Sequence, residues 1–275
     1  MADAPFADHF ARQAGAYAAF RPQYPAVMIA SIAALAPSRV CCWDVGTGSG
    51  QAALQLAEHF DRVVATDASA RQLEHAVPHA RVTYRAAPAE RAPLDDGSVD
   101  LVTVAQALHW FDLPAFYREV QRVARPGAAI AAWTYDLLTV DPAVDDVVRW
   151  FYTERVGSYW PPERRHVESR YATLDFPFPS LSVSAPPIEA RLDRAGLVGF
   201  IGTWSALARA REVEGGDPLD EFVQRLAPAW PDPEEPRLVR WPMVVLAGRV
   251  RDARPASDVR RETPGDRGQG MDVGE

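Results

Sequence analysis

The chain has 275 residues, 48% of them hydrophobic, and a formal net charge of −8. This length can bury one full α/β core with an insertion, and the acidic balance argues against a nucleic-acid backbone as partner. All 29 basic side chains are arginine and none is lysine, which excludes Schiff-base chemistry and a phosphate-loop lysine.

The N-terminus, Met1-Ala2-Asp3-Ala4-Pro5, lacks the charged and apolar regions of a secretion signal. The early apolar run over residues 26–36 is too short to cross a bilayer, so a cytoplasmic protein with no membrane partner is expected. Phe6, Phe10, Ala14, Tyr17 and Phe20 recur at three- and four-residue intervals, so residues 6–20 read as an amphipathic helix stopped by Arg21-Pro22. Its aromatic stripe either packs on the core or forms a lid over a ligand. A second helix over residues 26–35 leads to an apolar strand over 40–45. That strand contains Cys41 and Cys42, an adjacent pair that offers no disulfide framework and points to a reducing compartment.

Gly46, Gly48 and Gly50 follow at alternate positions, and residues 51–60 read as a helix, giving strand, tight turn, helix. Glycines in such a turn allow positive φ and a close backbone approach to a ligand, whose polar edge the free N–H groups at the helix start favour. A β-branched side chain at Gly46 is expected to enter the ligand's path or block the backbone angle. The next strand, residues 62–66, ends in Asp67, which lies 21 positions beyond Gly46. That spacing suits a carboxylate accepting hydrogen bonds from two ribose hydroxyls.

Ser69 can cap a helix running to about residue 77, where Pro78 ends it. Residues 82–85 read as a third strand, Asp95-Asp96-Gly97 as a turn, and 99–105 as a fourth strand, apolar enough to be covered on both faces. A helix over 113–124 is broken by Arg125-Pro126-Gly127 before a fifth strand over 128–135. Strands and helices alternating in this way imply a doubly wound, mostly parallel α/β sheet with ligands at the carboxyl ends of its strands.

From residue 141 the rhythm changes to a helix over 142–156, then Trp160-Pro161-Pro162 and Phe176-Pro177-Phe178-Pro179. Residues 141–190 are read as a cap inserted after the fifth strand that roofs a substrate pocket. Residues 193–208 and 219–226 look helical, and 238–250 looks like a closing strand broken by Pro242. The chain thus divides into an N-terminal helical lid (1–36), a ligand-binding core (37–140), the cap (141–190), a completion of the core (191–250) and a tail (251–275) whose composition predicts disorder.

Two nucleotide-like ligands can use the glycine loop. The dinucleotide fingerprint needs G-x-G-x-x-G, but here Gln51 stands where the last glycine should be, which weakens an NAD reading. Asp44-Val45-Gly46-Thr47-Gly48-Ser49-Gly50, with an acid closing the next strand, resembles the binding loop of class I S-adenosylmethionine-dependent methyltransferases. Ala89-Glu90-Arg91-Ala92-Pro93-Leu94, before Asp96-Gly97-Ser98-Val99-Asp100-Leu101-Val102, resembles the family's adenine-side passage. Pro88 stands where many members carry an acid, leaving the contact to the backbone of Ala89 and Glu90. Gln106-Ala107-Leu108-His109-Trp110-Phe111-Asp112, taken with Tyr17, Arg21-Pro22, Tyr24-Pro25 and Thr203-Trp204-Ser205-Ala206, resembles the methyltransferase type 11 group. Its relatives with His-Trp at this place include the trans-aconitate methyltransferases, which act on small carboxylates.

The resemblance covers about residues 6–250 and implies a Rossmann-like fold. It implies S-adenosyl-L-methionine as cofactor, S-adenosyl-L-homocysteine as product, and a small-molecule acceptor with a carboxylate or hydroxyl oxygen. The cofactor contacts it implies come from Asp44, Gly46, Thr47, Gly48, Gly50, Asp67, Ala89, Glu90, Gln106, Tyr17 and Arg21. The Asn/Asp-Pro-Pro-aromatic motif of nucleobase amino methyltransferases does not follow the fourth strand.

His109 is the candidate catalytic residue, either as a base for a hydroxyl or as an orienting donor for a carboxylate, which needs no base at neutral pH. Trp110, Phe111, Trp133 and Tyr135 are candidate substrate-side aromatics, through shape or cation–π attraction. Arg21 could pair with a carboxylate of cofactor or substrate. The remaining histidines, His9, His59, His75, His79 and His166, read as solvated and lack metal-ligand spacing, so no metal is expected. An NAD-dependent oxidoreductase and a non-catalytic binding protein of the same fold remain as alternatives.

Overall fold

The computed structural model describes residues 22–250; the expected lid helix over 6–20, with Tyr17, together with Arg21 and the tail over 251–275, falls outside the described residues. Eight strands are described: β1 (Cys41–Val45), β2 (Arg62–Asp67), β3 (Val82–Ala86), β4 (Val99–Ala105), β5 (Ala124–Tyr135), β6 (Ile188–Leu192), β7 (Arg237–Trp241) and β8 (Met243–Arg249). The main sheet has the order β3-β2-β1-β4-β5-β8, parallel except for β8, while β6 and β7 form a separate antiparallel ribbon. The strand order reverses between β1 and β4, and in such sheets the crevice at the carboxyl ends of those two strands is the natural ligand site. The chain is therefore a doubly wound, Rossmann-like α/β protein.

The helices are α1 (Ala26–Ala33), α2 (Gln51–Leu56), α3 (Ala70–Leu73), α4 (Leu113–Val123), α5 (Pro142–Trp150), α6 (Arg164–Glu168), α7 (Arg194–Gly202), α8 (Ser205–Glu214) and α9 (Leu219–Ala229). Alternation along the strands fills both faces of the sheet. Cys42, Leu101, Ala131 and Trp133 pack with α1, α2 and the C-terminal helices, whereas Trp43, Val45, Val102 and Ile130 pack with Phe116 and Val120 of α4. Burying a large apolar side chain contributes about 1.5–3 kcal/mol, so the fully buried Trp43, Phe60, Phe116 and Ile32 dominate local stability. Asp100 is buried at the start of β4 and accepts from Ser38 Oγ (2.7 Å), from the backbone N–H of Cys41 (2.9 Å) and from Arg125. These bonds pin the entry of β1 to β4.

Several expected elements end elsewhere, for identifiable reasons. Ser69 does cap α3, accepting from Gln72 N, but the helix stops at Leu73 because it buries no residue and so gains nothing from packing. The helix expected over 142–156 is α-helical only to Trp150; Phe151–Arg155 widens into a π turn that swings Phe151 and Tyr152 inward. The helix expected over 193–208 breaks at Thr203-Trp204, where Trp204 adopts an extended conformation (ψ 133°) and turns its indole towards Phe151, Tyr152 and Trp160. Pro242 does divide the closing strand. It cannot donate to a ladder, and there the chain passes from the ribbon (β7) to the main sheet (β8).

The stretch 141–190 serves two places. Trp160, Pro161 and Arg164 line a small cavity beside the carboxyl end of β4, whereas Phe178 packs edge-on against Tyr117 of α4 and lies over Gly248 of β8. No helix among the described residues is long and apolar enough to cross a membrane.

Candidate functional site

The loop after β1 is built from three left-handed glycines, Gly46 (φ 64°), Gly48 (φ 57°) and Gly50 (φ 85°). Each serves a different end. A Cβ on Gly46 would stand 2.6 Å from Ala107 Cβ and 3.1 Å from Phe111 Cζ, so it is the protein's own packing, rather than a ligand's path, that excludes a side chain there. A Cβ on Gly50 would meet the Tyr84 ring, with Tyr84 Cε1 at 2.8 Å. Of the three, only Gly48 has no atom of the described residues within 4 Å of such a Cβ, and it is there that a ligand can approach the backbone.

Asp44 does not face a ligand. It is wholly buried, and its two oxygens accept from Thr47 Oγ1 (2.6 Å) and Thr103 Oγ1 (2.7 Å). Burial raises its pKa to about 6, while the two hydroxyls pull it back down. Asp44 is thus the post that ties the glycine loop to β4, and its predicted cofactor contact is replaced by this anchoring of Thr47. Gln51, at the place of the missing dinucleotide glycine, instead donates to the carbonyl of Pro22 (2.7 Å) and holds the entering chain against α2.

Asp67, at the end of β2, accepts from Gly48 N (2.9 Å) and Ser69 N (2.8 Å), one bond to each oxygen. Burial raises its pKa and the two N–H bonds oppose that rise. A carboxylate offers about four acceptor positions, so two remain for hydroxyl groups of a ligand. Asp67, Gly46, Thr47, Gly48, Ala89, Glu90, Gln106, Trp110 and Phe111 line one cleft of about 370 Å³, together with Tyr24, Gln72 and Pro88. Glu90 also accepts from Asp112 N (3.0 Å), which fixes the loop after β4 against the loop after β3.

Gln106 stands where β4 ends. Its backbone is left-handed (φ 60°), a strained state for a residue with a side chain, and its Oε1 accepts from Thr134 Oγ1 (2.9 Å). Its Nε2 is buried and has no hydrogen-bond partner among the described residues. An orphaned buried amide of this kind fits a ligand acceptor, and together with the open face of Gly48 and the spare capacity of Asp67 it makes the cleft suit a nucleoside carrying a polar tail.

Gln106 and Trp110 belong as well to a second, smaller cavity of about 80 Å³, whose other walls are His109, Tyr135, Trp160, Pro161, Arg164, Phe200, Trp204 and Ser205. The two spaces therefore meet at Gln106 and Trp110. His109 is held by the short 3₁₀ turn Leu108–Trp110, and its Nδ1 shares a hydrogen bond of 3.1 Å with the hydroxyl of Tyr171. Tyr171 is buried, with its pKa pushed up by burial, so its hydroxyl stays protonated and can donate to Nδ1, leaving Nε2 of His109 as an N–H donor. Burial lowers the His109 pKa to about 3, helped by the nearby charges of Arg164 and His166. The imidazole is neutral at physiological pH.

Of the aromatics expected on the substrate side, Trp110 and Tyr135 line the small cavity and Phe111 lines the large cleft. Trp133 lines neither: it is wholly buried and packs edge-on against Tyr24, 5.5 Å between ring centroids, so its predicted substrate contact gives way to core packing. Trp160, Arg164 and Tyr171 were covered only by the general expectation that residues 141–190 roof a pocket, with no motif to single them out, and Phe200, in a helix far along the chain from the glycine loop, carried no signal for a site. Trp204 and Ser205 were visible only as part of a family-like string. Among the described residues no group of three metal-ligating side chains is gathered.

Residues 43–132 match the family described as "Methyltransferase domain". A protein of Dictyostelium discoideum named as a methyltransferase is 33% identical over 229 residues, which are 82% of this chain and 87% of the relative. A solved structure from Anaeromyxobacter dehalogenans, described as a type II methyltransferase, is 48% identical with a TM-score of 0.79, covering 85% of this chain and 100% of that one. A Mycobacterium tuberculosis methyltransferase without an assigned substrate is 40% identical over 124 residues, 44% of this chain and 49% of the relative. None of these relatives is named for trans-aconitate. These relatives, and not the cleft alone, remove the nicotinamide reading, and the cofactor is S-adenosylmethionine: the chain belongs to the class I S-adenosylmethionine-dependent methyltransferases.

Proposed function

We propose that this methyltransferase acts on a small organic acceptor at an oxygen, a carboxylate in preference to a hydroxyl. The observation that carries the proposal is the small cavity, which is lined by aromatic rings and shares Gln106 and Trp110 with the cofactor cleft. When bound, the cofactor supplies an electrophilic methyl on a sulfonium: a lone pair of the acceptor oxygen forms the new O–CH₃ bond as the S–CH₃ pair returns to sulfur. What the protein must add is alignment and exclusion of water. Trp110, Trp160 and Trp204 wall out solvent, Asp67 and the glycine loop hold the nucleoside, and Gln106 Nε2 can donate where the two spaces meet. Two free, buried thiols, Cys41 and Cys42, suit the reducing cytoplasm.

A neutral His109 with a pKa near 3 is a poor general base but a sound hydrogen-bond donor, which suits an acceptor already ionised at neutral pH. His109→Ala is then expected to raise KM about threefold to tenfold, the worth of one hydrogen bond, with a smaller change in kcat. The wild-type rate should show no limb near pH 6–7. A kcat loss of about a hundredfold or more, or a clear limb in that range, would make His109 a base and the acceptor a hydroxyl.

The acceptor atom is read by incubating the enzyme with labelled S-adenosylmethionine and a panel of small carboxylic acids, phenols and amines. Methyl esters release methanol in mild alkali, whereas ethers and methylamines do not. Alkali-stable product as the major label would sink the carboxylate assignment.

A further inference from the structure

Among the described residues that line the small cavity, Arg164 is the only charged one and none is a carboxylate. Its side chain is held in an aromatic clamp: the guanidinium lies 4.6 Å from the Trp160 ring centroid and 5.3 Å from that of Tyr152, and Nε donates to Tyr152 Oη (2.7 Å). Tyr152 is brought there by the π turn Phe151–Arg155, and its hydroxyl donates in turn to Glu168 Oε1 (2.8 Å). Glu168 is thereby engaged by a tyrosine. Among the described residues Arg164 makes no ion pair, and its two terminal nitrogens make no hydrogen bond. A guanidinium fixed at Nε, stacked on rings and left with both Nη groups uncommitted presents the fork that matches a carboxylate.

We propose that Arg164 is the anion anchor of this cavity and receives a carboxylate of the acceptor substrate, whose flat apolar body lies among the rings of Trp160, Trp204, Phe200 and Tyr135. The assignment rests on the methyl-transfer reading of the neighbouring cleft, but concerns a different wall. Charge selects the class. The cavity offers one positive charge beside a neutral imidazole, which balances a single negative charge; a phosphate dianion would leave one charge unmatched in an aromatic enclosure. Such a site prefers an aryl or alkyl monocarboxylate over the amide of the same shape. Arg164 is a specificity residue here, and Trp160 and Tyr152 are its positioning residues.

The test titrates benzoate, phenylacetate and hexanoate, each against its primary amide, into the full chain with and without saturating S-adenosylhomocysteine. The readout is tryptophan fluorescence, since Trp110, Trp160 and Trp204 line the cavity; calorimetry supplies the affinities. In the wild type at least one carboxylate should bind about tenfold to a hundredfold more tightly than its amide. Arg164→Met should erase that preference while leaving S-adenosylhomocysteine affinity within error, with only the modest fall in melting temperature due to the lost Tyr152 bond, and Arg164→Lys, which keeps the charge but not the fork, should retain part of it. If the methionine variant does not fold, the wild-type comparison and the lysine variant still decide. Equal affinity for acid and amide, binding of none of the carboxylates, or a preference that survives Arg164→Met overturns the proposal. Failure of S-adenosylhomocysteine to bind the wild type is a separate result, which strikes the methyl-transfer reading of the cleft.

Discussion

Asp67→Ala should weaken S-adenosylmethionine binding by about tenfold to a hundredfold, the equivalent of ~1.5–3 kcal/mol for a charged acceptor serving two hydroxyls. The same carboxylate accepts from Gly48 N and Ser69 N, so its removal also frees two backbone donors and slackens the loop it braces. Asp67→Asn separates these parts: it keeps the size but replaces one acceptor oxygen by a donor that clashes with one of the two N–H groups. It should therefore bind no better than the alanine variant. Calorimetric titration with S-adenosylmethionine, with melting temperature as the check on folding, reads both. Undiminished affinity in Asp67→Ala would remove this residue from the cofactor site.

Gly46→Val should act on stability before it acts on binding. A valine would have to hold φ near +64°, where β-branched residues are strongly disfavoured, and its Cβ would stand 2.6 Å from Ala107 Cβ. Backbone strain and overpacking together are worth about 3–5 kcal/mol, a fall in melting temperature on the order of 10 °C. Gly48→Ala makes the contrast. It costs roughly 1 kcal/mol for the left-handed backbone, but its methyl meets no atom of the described residues, so it should melt only slightly earlier and lose cofactor affinity out of proportion. Equal melting temperatures for Gly46→Val and the wild type would show that the loop yields more readily than its packing implies.

The cofactor half of the site is legible in the sequence because its chemistry is local. A strand, a turn of three glycines and a short helix lie within about twenty residues, and Asp67 ends the next strand because β2 is only long enough to return to the same edge as β1. The pattern names the residue types that must stand at that edge, and the sheet places Gly48, Asp67, Ala89, Glu90 and Gln106 around one cleft. The pattern cannot tell which face of the loop each side chain takes. Asp44 lies in the same seven-residue string as Gly48, yet it points into the core to meet Thr103, 59 positions away. Trp133 and Tyr135 lie two residues apart on β5 and share a face, but only Tyr135 reaches past the edge of the sheet into the small cavity.

The small cavity beside the cleft was decided by tertiary structure. His109 meets Tyr171 across 62 positions of sequence, and Arg164 is drawn into the same space by a π turn and a broken helix that no periodicity announces. Those irregularities depend on long-range packing of Phe151, Tyr152, Trp160 and Trp204 against one another, an energy that appears only when the segments are already assembled. Turn chemistry and hydrophobic period act over a few residues, and so the sequence by itself determined the sheet, the glycine loop and the acid that closes β2. Which arginine comes to stand beside the histidine followed only from the packing of residues 150–171 at the carboxyl edge of the sheet.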